Sequence, residues 1–191
     1  HKGEVEKLLL DLTTEIKDFS GQIDILNGIL KSRPLTFSEK KLLGIALITM
    51  KDYSEAIKIF SEQTSSNRFN QLAEQAYYLG ATYAHQEEFI RAVPLFLSAI
   101  KYSDQNEEIH QRANYALATA YLNVGQYEES LFFLEKVIAL SEESTYSWLE
   151  SALFARGSVF YRLGRLKEAA KDFESLAQLG GNFFIGQKNS S

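Results

Sequence analysis

The histidines are the side chains of this sequence that come nearest to a metal-binding or catalytic pattern. His85-Gln86-Glu87 has the His-x-Glu spelling used for zinc-dependent deamination, but that chemistry also needs cysteine ligands and the chain has no cysteine. His85 and His110 are not four residues apart, which is the spacing that lets two histidines of one helix share a zinc ion. We therefore expect solvated histidines on helix surfaces, with no metal and no cofactor.

Other catalytic patterns are also missing. Gly180-Gly181 has no Lys-Ser/Thr after it, so it is not a phosphate-binding loop, and we expect it to end a helix. Serines are plentiful at predicted turns, and none of the serines stands in a nucleophile elbow. Without cysteine there is no thiol nucleophile and no disulfide framework. The sequence therefore predicts a protein that is not an enzyme.

Composition excludes further classes. The chain has 191 residues, of which 45% are hydrophobic, enough to bury the core of one domain or one short repeat array. Its net charge of −5, with no block of like charges, argues against nucleic acid as a partner. Uncharged stretches such as Leu42 to Met50 are far shorter than the roughly 18 residues of a membrane span, so we expect no membrane insertion. Because the first residue is His1 rather than methionine, we expect a piece of a longer chain, and the compartment stays unassigned.

Five columns of residues recur four times along the chain. A small residue is followed by a large one three positions later, a bulky one nine later, Ala or Ser twelve later, and a large apolar one sixteen later. The copies are 36, 38 and 39 residues apart. They are Gly44/Leu47/Tyr53/Ala56/Phe60, Gly80/Tyr83/Phe89/Ala92/Phe96, Ala118/Tyr121/Tyr127/Ser130/Leu134 and Gly157/Phe160/Leu166/Ala169/Phe173.

Helix packing explains these columns. The large residues within each copy fall at helical spacing on either side of a short polar stretch, which predicts two antiparallel helices joined by a tight turn. Small residues let the two backbones approach closely, and large residues fill the gaps beside them. Gly125 and Gly164 stand where the chain must reverse, and Thr36 with Glu39 has the spacing of a capping box.

The copies resemble tetratricopeptide repeats. The resemblance covers about residues 37–179 and implies an all-α fold: a right-handed α-solenoid of about four helical hairpins, preceded by an extra N-terminal helix or helical pair. Two features depart from the family pattern: the copies are longer than about 34 residues, and the internal closing prolines are missing. The best match is Leu79, Gly80, Tyr83, Phe89, Ala92, Phe96 and Ala99.

This interpretation divides the chain into three parts. We expect an N-terminal helical segment, then the repeat array, then a short tail. The boundaries are 1–34 for the segment, 35–179 for the array, with repeats near 37–66, 67–104, 105–142 and 143–179, and 180–191 for the tail.

The N-terminal segment carries a heptad stripe with two interpretations. One is a coiled coil that pairs chains, and the other is a helix, or a worn helical pair, that packs on the first repeat. Pro34 stands where the closing proline of a degenerate repeat would lie, whereas Gln22 in the alanine column argues against such a repeat. The stripe consists of Leu9, Leu12, Ile16, Phe19, Ile23, Leu26 and Leu30.

The tail contains an apolar group at Phe183, Phe184 and Ile185. We expect these side chains to fold back over the last helix and shield the apolar face that the end of a solenoid leaves open. The alternative is that they dock into a groove of a neighbouring chain.

The resemblance also implies a binding surface. In such solenoids the first helix of each hairpin lines a groove that receives a peptide or a partner helix. Tyr, Phe and Arg are the types that dominate binding energy in interfaces. For Tyr115 and Phe154, packing against a neighbouring repeat stays an equal alternative. The residues expected to line the groove are Tyr77, His85, Arg112, Tyr115, Asn123, Phe154, Tyr161 and Arg162.

A more specific family function can be tested on the residues. Some tetratricopeptide domains bind acidic chaperone tails with a clamp of lysine, asparagine and arginine. Lys41 matches its first element, but Ile45 and Tyr78 stand where asparagines are needed, so we predict no such clamp. We expect an adaptor that binds a protein partner, and as the alternative an assembly subunit that forms homo-oligomers through its N-terminal heptad helix.

Overall fold

The computed structural model describes residues 2–62, 69–103, 107–143 and 148–188. Those residues contain ten α-helices and no strand. The helices are α1 (Lys2–Glu15), α2 (Phe19–Leu30), α3 (Phe37–Thr49), α4 (Tyr53–Ser61), α5 (Phe69–His85), α6 (Phe89–Tyr102), α7 (Glu107–Asn123), α8 (Tyr127–Glu143), α9 (Leu149–Arg162) and α10 (Leu166–Lys188).

Odd-numbered helices, here called first helices, each pair with the even-numbered second helix that follows. The same three-residue turn joins the two helices of every pair, and its central residue adopts a positive φ of 56 to 80°. The residue after it donates its backbone N–H to the carbonyl five residues earlier, at 2.8–2.9 Å in all five turns, which is a Schellman motif. The central residues are Lys17, Lys51, Glu87, Gly125 and Gly164.

The N-terminal segment is therefore a helical pair and not one long helix. The heptad stripe is interrupted at Ile16–Asp18, where the chain turns, so a coiled coil through the whole segment does not form. Gln22 is buried at 3% exposure and donates to Thr14 Oγ1 at 2.7 Å, which explains how a glutamine can stand in the alanine column. Counted from its turn, this pair fills the five columns with Leu10, Thr13, Phe19, Gln22 and Leu26.

Glycine in the small column makes room for an aromatic ring. A β-carbon added to Gly157 would lie 2.8 Å from Phe173 Cε1, and glycines 44 and 80 meet the phenylalanine sixteen residues later in the same way. In the third copy Ala118 replaces glycine and Leu134 replaces phenylalanine. The Ser130 hydroxyl donates to the Ala118 carbonyl at 2.8 Å, so these two backbones approach as closely as expected.

Two compact units make up the chain, His1–Ser98 and Ala99–Ser191. The core of the first is built around Leu26, Ile29 and Leu43, and the core of the second around Leu134 and Val159. Each core is formed by second helices meeting the first helix that follows them, as α8 does with α9.

Helix ends follow the predicted signals at one place and depart from them at another. Thr36 and Glu39 form the expected capping box at the start of α3. Helix α10 does not end at Gly180-Gly181 but continues to Lys188, because glycine weakens a helix by only about 1 kcal/mol relative to alanine and does not terminate it alone. The predicted fold-back of Phe183, Phe184 and Ile185 concerns side chains outside the described part of the structure.

Candidate binding surface

The residues expected to line a groove fall into distinct columns of the first helices. Tyr77, Tyr115 and Phe154 each stand three residues before the small column of their helix. His85, Asn123 and Arg162 each stand five residues after it, and all three are exposed. These two columns lie about 80° apart around the helix axis, since each residue advances by about 100°. These predicted residues therefore occupy two neighbouring rows along the first helices.

In the first unit the two predicted residues are held by aromatic contacts. The Tyr77 ring lies 5.2 Å from the Tyr78 ring, edge to face, and 6.0 Å from Phe96. The exposed His85 ring stacks on Tyr53, with ring centroids 6.1 Å apart and planes within 5°. Tyr77 thus packs inside its own hairpin, whereas His85 rests on the start of α4 with one face towards solvent.

Tyr115 is a packing residue in the second unit. Its ring lies 5.4 Å from Trp148, the residue just before α9, and burial raises the pKa of its hydroxyl. Phe154 occupies the same column one hairpin later, yet it is 58% exposed and its nearest ring is Phe173 at 6.1 Å. The difference arises because the following hairpin covers Tyr115 and no described element covers Phe154.

Two polar members of the predicted set are engaged within their own helix. Arg112 donates to Glu108 Oε1 at 3.1 Å, one turn earlier. The Asn123 amide donates to the Thr119 carbonyl at 2.8 Å. Asn123 is exposed, whereas Arg112 is partly buried, with 27% of its side chain exposed.

The structure brings Tyr161 and Arg162 together at a shallow depression. Its volume is about 530 Å³, and it is lined by Ser158, Tyr161, Arg162 and Phe173. Tyr161 is 66% exposed, and Phe154 lies next to the site through its contact with Phe173. The depression can hold an apolar side chain between aromatic surfaces and offers a guanidinium for a carboxylate or carbonyl at its edge. We call this site the end depression.

Phe173 is a residue of the candidate site that sequence reasoning missed, because its column was interpreted only as packing. In the four earlier hairpins the residues of this column are no more than 5% exposed, whereas Phe173 is 36% exposed. The available signal was position, since this is the last copy of the repeat. The four buried residues are Leu26, Phe60, Phe96 and Leu134.

Two ion pairs elsewhere in the first unit join charged groups of the protein to each other. Lys41 Nζ lies 2.6 Å from Glu74 Oε2, so the one element of a carboxylate clamp is occupied by an internal carboxylate. A second cavity of about 400 Å³ lies beside α1 and α3. On its wall Arg33 holds Glu39 with two hydrogen bonds of 2.9 and 2.7 Å and lowers the pKa of Glu39 to about 2.

The described ranges were compared with the requirements of a metal site and of a membrane-spanning helix. No cluster of three or more His, Asp or Glu side chains there could hold a metal ion. Within the same ranges, no helix is both long and apolar enough to cross a bilayer.

Comparison with known proteins agrees with the hairpin geometry. The family model described as tetratricopeptide repeat matches residues 111–144, which cover the α7–α8 hairpin. This hairpin is a tetratricopeptide repeat. No curated protein sequence matches the chain.

Solved structures show the same fold over nearly the whole chain. MamA 41-end from Desulfovibrio magneticus RS-1 is 19% identical, with a TM-score of 0.78 and coverage of 95% of this chain and 97% of that one. Another crystal structure of MamA gives 20% identity, a TM-score of 0.75 and coverage of 92% and 96%. A putative kinesin light chain from Podosopora anserina with nearly identical TPR-like repeats is 16% identical, with a TM-score of 0.73 and coverage of 94% of this chain and 95% of that one. In its described residues the chain thus shares with these structures an all-α fold built from helical hairpins.

Proposed function

We propose that this protein is a non-enzymatic tetratricopeptide-repeat scaffold that holds a partner helix or peptide at the end depression. The observation that carries the proposal is the exposure of Tyr161 and Phe154 on either side of Phe173, with Arg162 at the edge. Large exposed aromatic groups that converge on one concavity are the usual anchors of a protein interface. A tetratricopeptide solenoid supplies rigid helices that hold such side chains in place.

The chemistry of the depression indicates the class of partner. Aromatic walls favour a Leu, Ile, Phe or Met side chain from the partner, because burial of apolar surface drives association. The Arg162 guanidinium favours an acceptor such as a carboxylate next to that anchor. We therefore expect a partly apolar, locally acidic segment, presented as a helix or in extended form.

The test is selection from a random peptide library displayed on phage, with the full chain as bait. Selected peptides are then synthesised, and their Kd values are measured by fluorescence anisotropy. We expect Tyr161→Ala and Arg162→Ala each to weaken binding at least about tenfold, the effect of losing one interface anchor. Phe132→Ala is the matched control, since Phe132 is a similarly exposed aromatic residue of the same unit on second helix α8.

Two results would contradict the proposal. One is a library that yields no binding peptide after repeated selection. The other is a set of selected peptides whose affinity falls with Phe132→Ala and not with Tyr161→Ala or Arg162→Ala, which would place the binding surface elsewhere.

A further inference from the structure

Leu12 and Leu8 of α1 are exposed, whereas later first helices bury the whole column of Leu12 and, in α9, the residue equivalent to Leu8. Leu12 is 52% exposed, whereas the residues of its column in the four later first helices are no more than 1% exposed. Leu8 is 68% exposed, and its counterpart Ala155 in α9 is 5% exposed and packs in the core. The buried residues of the Leu12 column are Ala46, Thr82, Ala120 and Val159.

These columns are where a first helix meets the second helix before it. In the second unit Ala152, Ala155 and Val159 of α9 form one core cluster with Leu131 and Leu134 of α8. The corresponding positions of α1 are Val5, Leu8 and Leu12, which are all apolar and all more than 40% exposed. We call these three residues the head face.

The last helix exposes the complementary half of the same junction. Ala170 and Phe173 of α10 correspond to Leu131 and Leu134 of α8, and Ala177 corresponds to Ile138, which packs beside that core. In α8 these positions are covered by α9, whereas in α10 they are exposed. Together with the exposed Leu166 they form one stripe along α10. We call Leu166, Ala170, Phe173 and Ala177 the tail face.

Side-chain sizes on the two faces are complementary. Inside the chain, the large Leu131 and Ile138 of α8 meet the small Ala152 and Ala155 of α9. At the ends the sizes are exchanged, because the tail face offers Ala170 and Ala177 while the head face offers Val5, Leu8 and Leu12. A junction between the two faces would therefore hold a similar total side-chain volume, which is the condition for close packing without a cavity or overlap.

From these observations we infer that the partner is a second copy of this chain, whose head face packs on the tail face as α9 packs on α8. The contact is head-to-tail, so each copy keeps one unused face and can bind a further copy. This inference rests on the proposed function, since it names the partner that covers the exposed end of the chain, where Phe173 belongs to both the tail face and the end depression.

Sedimentation velocity with two complementary variants tests the inference. Leu8→Glu blocks the head face and Ala170→Glu blocks the tail face, in both cases at an exposed helical position where glutamate is a good helix former. We expect the unchanged chain to self-associate at concentrations up to about 200 µM, and each variant alone to lose at least about tenfold in association constant. An equimolar mixture of the two variants should form a heterodimer and nothing larger, because one intact head and one intact tail remain.

Controls separate this outcome from loss of folding. Ile90→Glu introduces the same charge at an 81% exposed residue outside both faces and should leave self-association unchanged. Circular dichroism melting of every variant checks the fold, and Val5→Glu and Ala177→Glu replace any variant that melts early.

Each contrary result has a distinct meaning. A monomeric unchanged chain overturns the inference. Association that survives Ala170→Glu but not Leu8→Glu also overturns it, in favour of two head faces pairing with each other. If association is absent while selected peptides still bind through Tyr161, the inference fails and the proposed function stands. If peptide binding fails as well, both fail.

Discussion

The ring of Phe96 occupies the space where a β-carbon of Gly80 would lie. A β-carbon built at Gly80 would be 2.9 Å from Phe96 Cε1 and 3.2 Å from Leu95 Cβ, and Phe96 is only 1% exposed. The ring therefore cannot move aside without disturbing the core of the first unit. The same relationship joins the small and the large apolar columns in the other glycine-containing repeats.

Gly80→Ala is accordingly expected to destabilise the protein by up to about 2 kcal/mol, because the overpacking cost of about 1 to 3 kcal/mol exceeds the gain of about 1 kcal/mol in helix propensity. The double variant Gly80→Ala/Phe96→Leu should recover part of this loss, since it recreates the natural Ala118–Leu134 pair. The measurement is urea unfolding followed by circular dichroism. Gly28→Ala is the control, since nothing lies within 4 Å of its added β-carbon, and it should stabilise α2. If Gly28→Ala lowered the free energy of unfolding as much as Gly80→Ala, the packing explanation would be contradicted.

The shared turn predicts a stabilising substitution. Lys51 has φ 62°, in the left-handed region that costs a non-glycine residue about 1 kcal/mol, whereas Gly125 and Gly164 occupy the same place without that cost. Lys51→Gly should raise the free energy of unfolding by about 0.5 to 1 kcal/mol. Gly125→Ala should lower it by about 1 kcal/mol. In thermal melts we expect Lys51→Gly to raise the melting temperature and Gly125→Ala to lower it. A change in the same direction for both variants would show that turn conformation does not control stability here.

The ion pair between Arg156 and Asp172 joins the two helices of the last hairpin. Arg156 donates twice to Asp172, at 2.8 and 2.7 Å, and the Asp172 side chain is 4% exposed. Asp172→Asn should cost about 3 kcal/mol, because it leaves a partly buried guanidinium without its carboxylate. Replacing both residues by leucine should recover most of that loss.

Glu168→Gln provides the comparison for that experiment. Glu168 pairs with Arg165 on the open surface, and both side chains are more than 40% exposed. Loss of this surface ion pair should lower the free energy of unfolding much less than Asp172→Asn does. If Glu168→Gln and Asp172→Asn lowered the free energy of unfolding equally in chemical unfolding, burial of the Arg156–Asp172 pair would not be what makes its loss costly.

Glu39 predicts how stability depends on pH. Hydrogen bonds from Arg33, and then those from Thr36, lower its pKa to about 2, against an ordinary value of about 4.3. A lowered carboxylate pKa stabilises the folded state fully above the ordinary value, and that stabilisation is lost as pH falls towards 2. Glu39→Gln should therefore be less stable than the unchanged chain by about 1 kcal/mol at pH 7, with the difference vanishing between about pH 4.5 and 2.

Unfolding by urea at a series of pH values measures this difference. Glu55→Gln is the control, since Glu55 occupies the same first-turn position of α4 and pairs with Lys58 at the surface. A difference for Glu39→Gln that stays constant from pH 7 to pH 2 would show that the carboxylate charge is not what stabilises this cap.

The sequence by itself determined the hairpins. Each copy has a small residue and a large apolar residue sixteen positions apart, as Gly80 and Phe96 are, because the same helix packing in each hairpin requires the same residue types. The sequence could not resolve the first hairpin, since the stripe from Leu9 to Leu30 has a spacing that suits both one helix and two. Only the tertiary structure showed that Gln22 is buried against Thr14, which completes a fifth pair.

Tertiary structure also decided the candidate site. Tyr115 and Phe154 are equivalent in the sequence, but one is covered by Trp148 and the other is exposed, because a helix face becomes a binding surface only where no further hairpin packs on it. Local spacing fixes which way a side chain points along its own helix. What packs against that side chain depends on elements distant in sequence. The packing columns could therefore be predicted from the sequence, whereas the exposure of Phe173 could not.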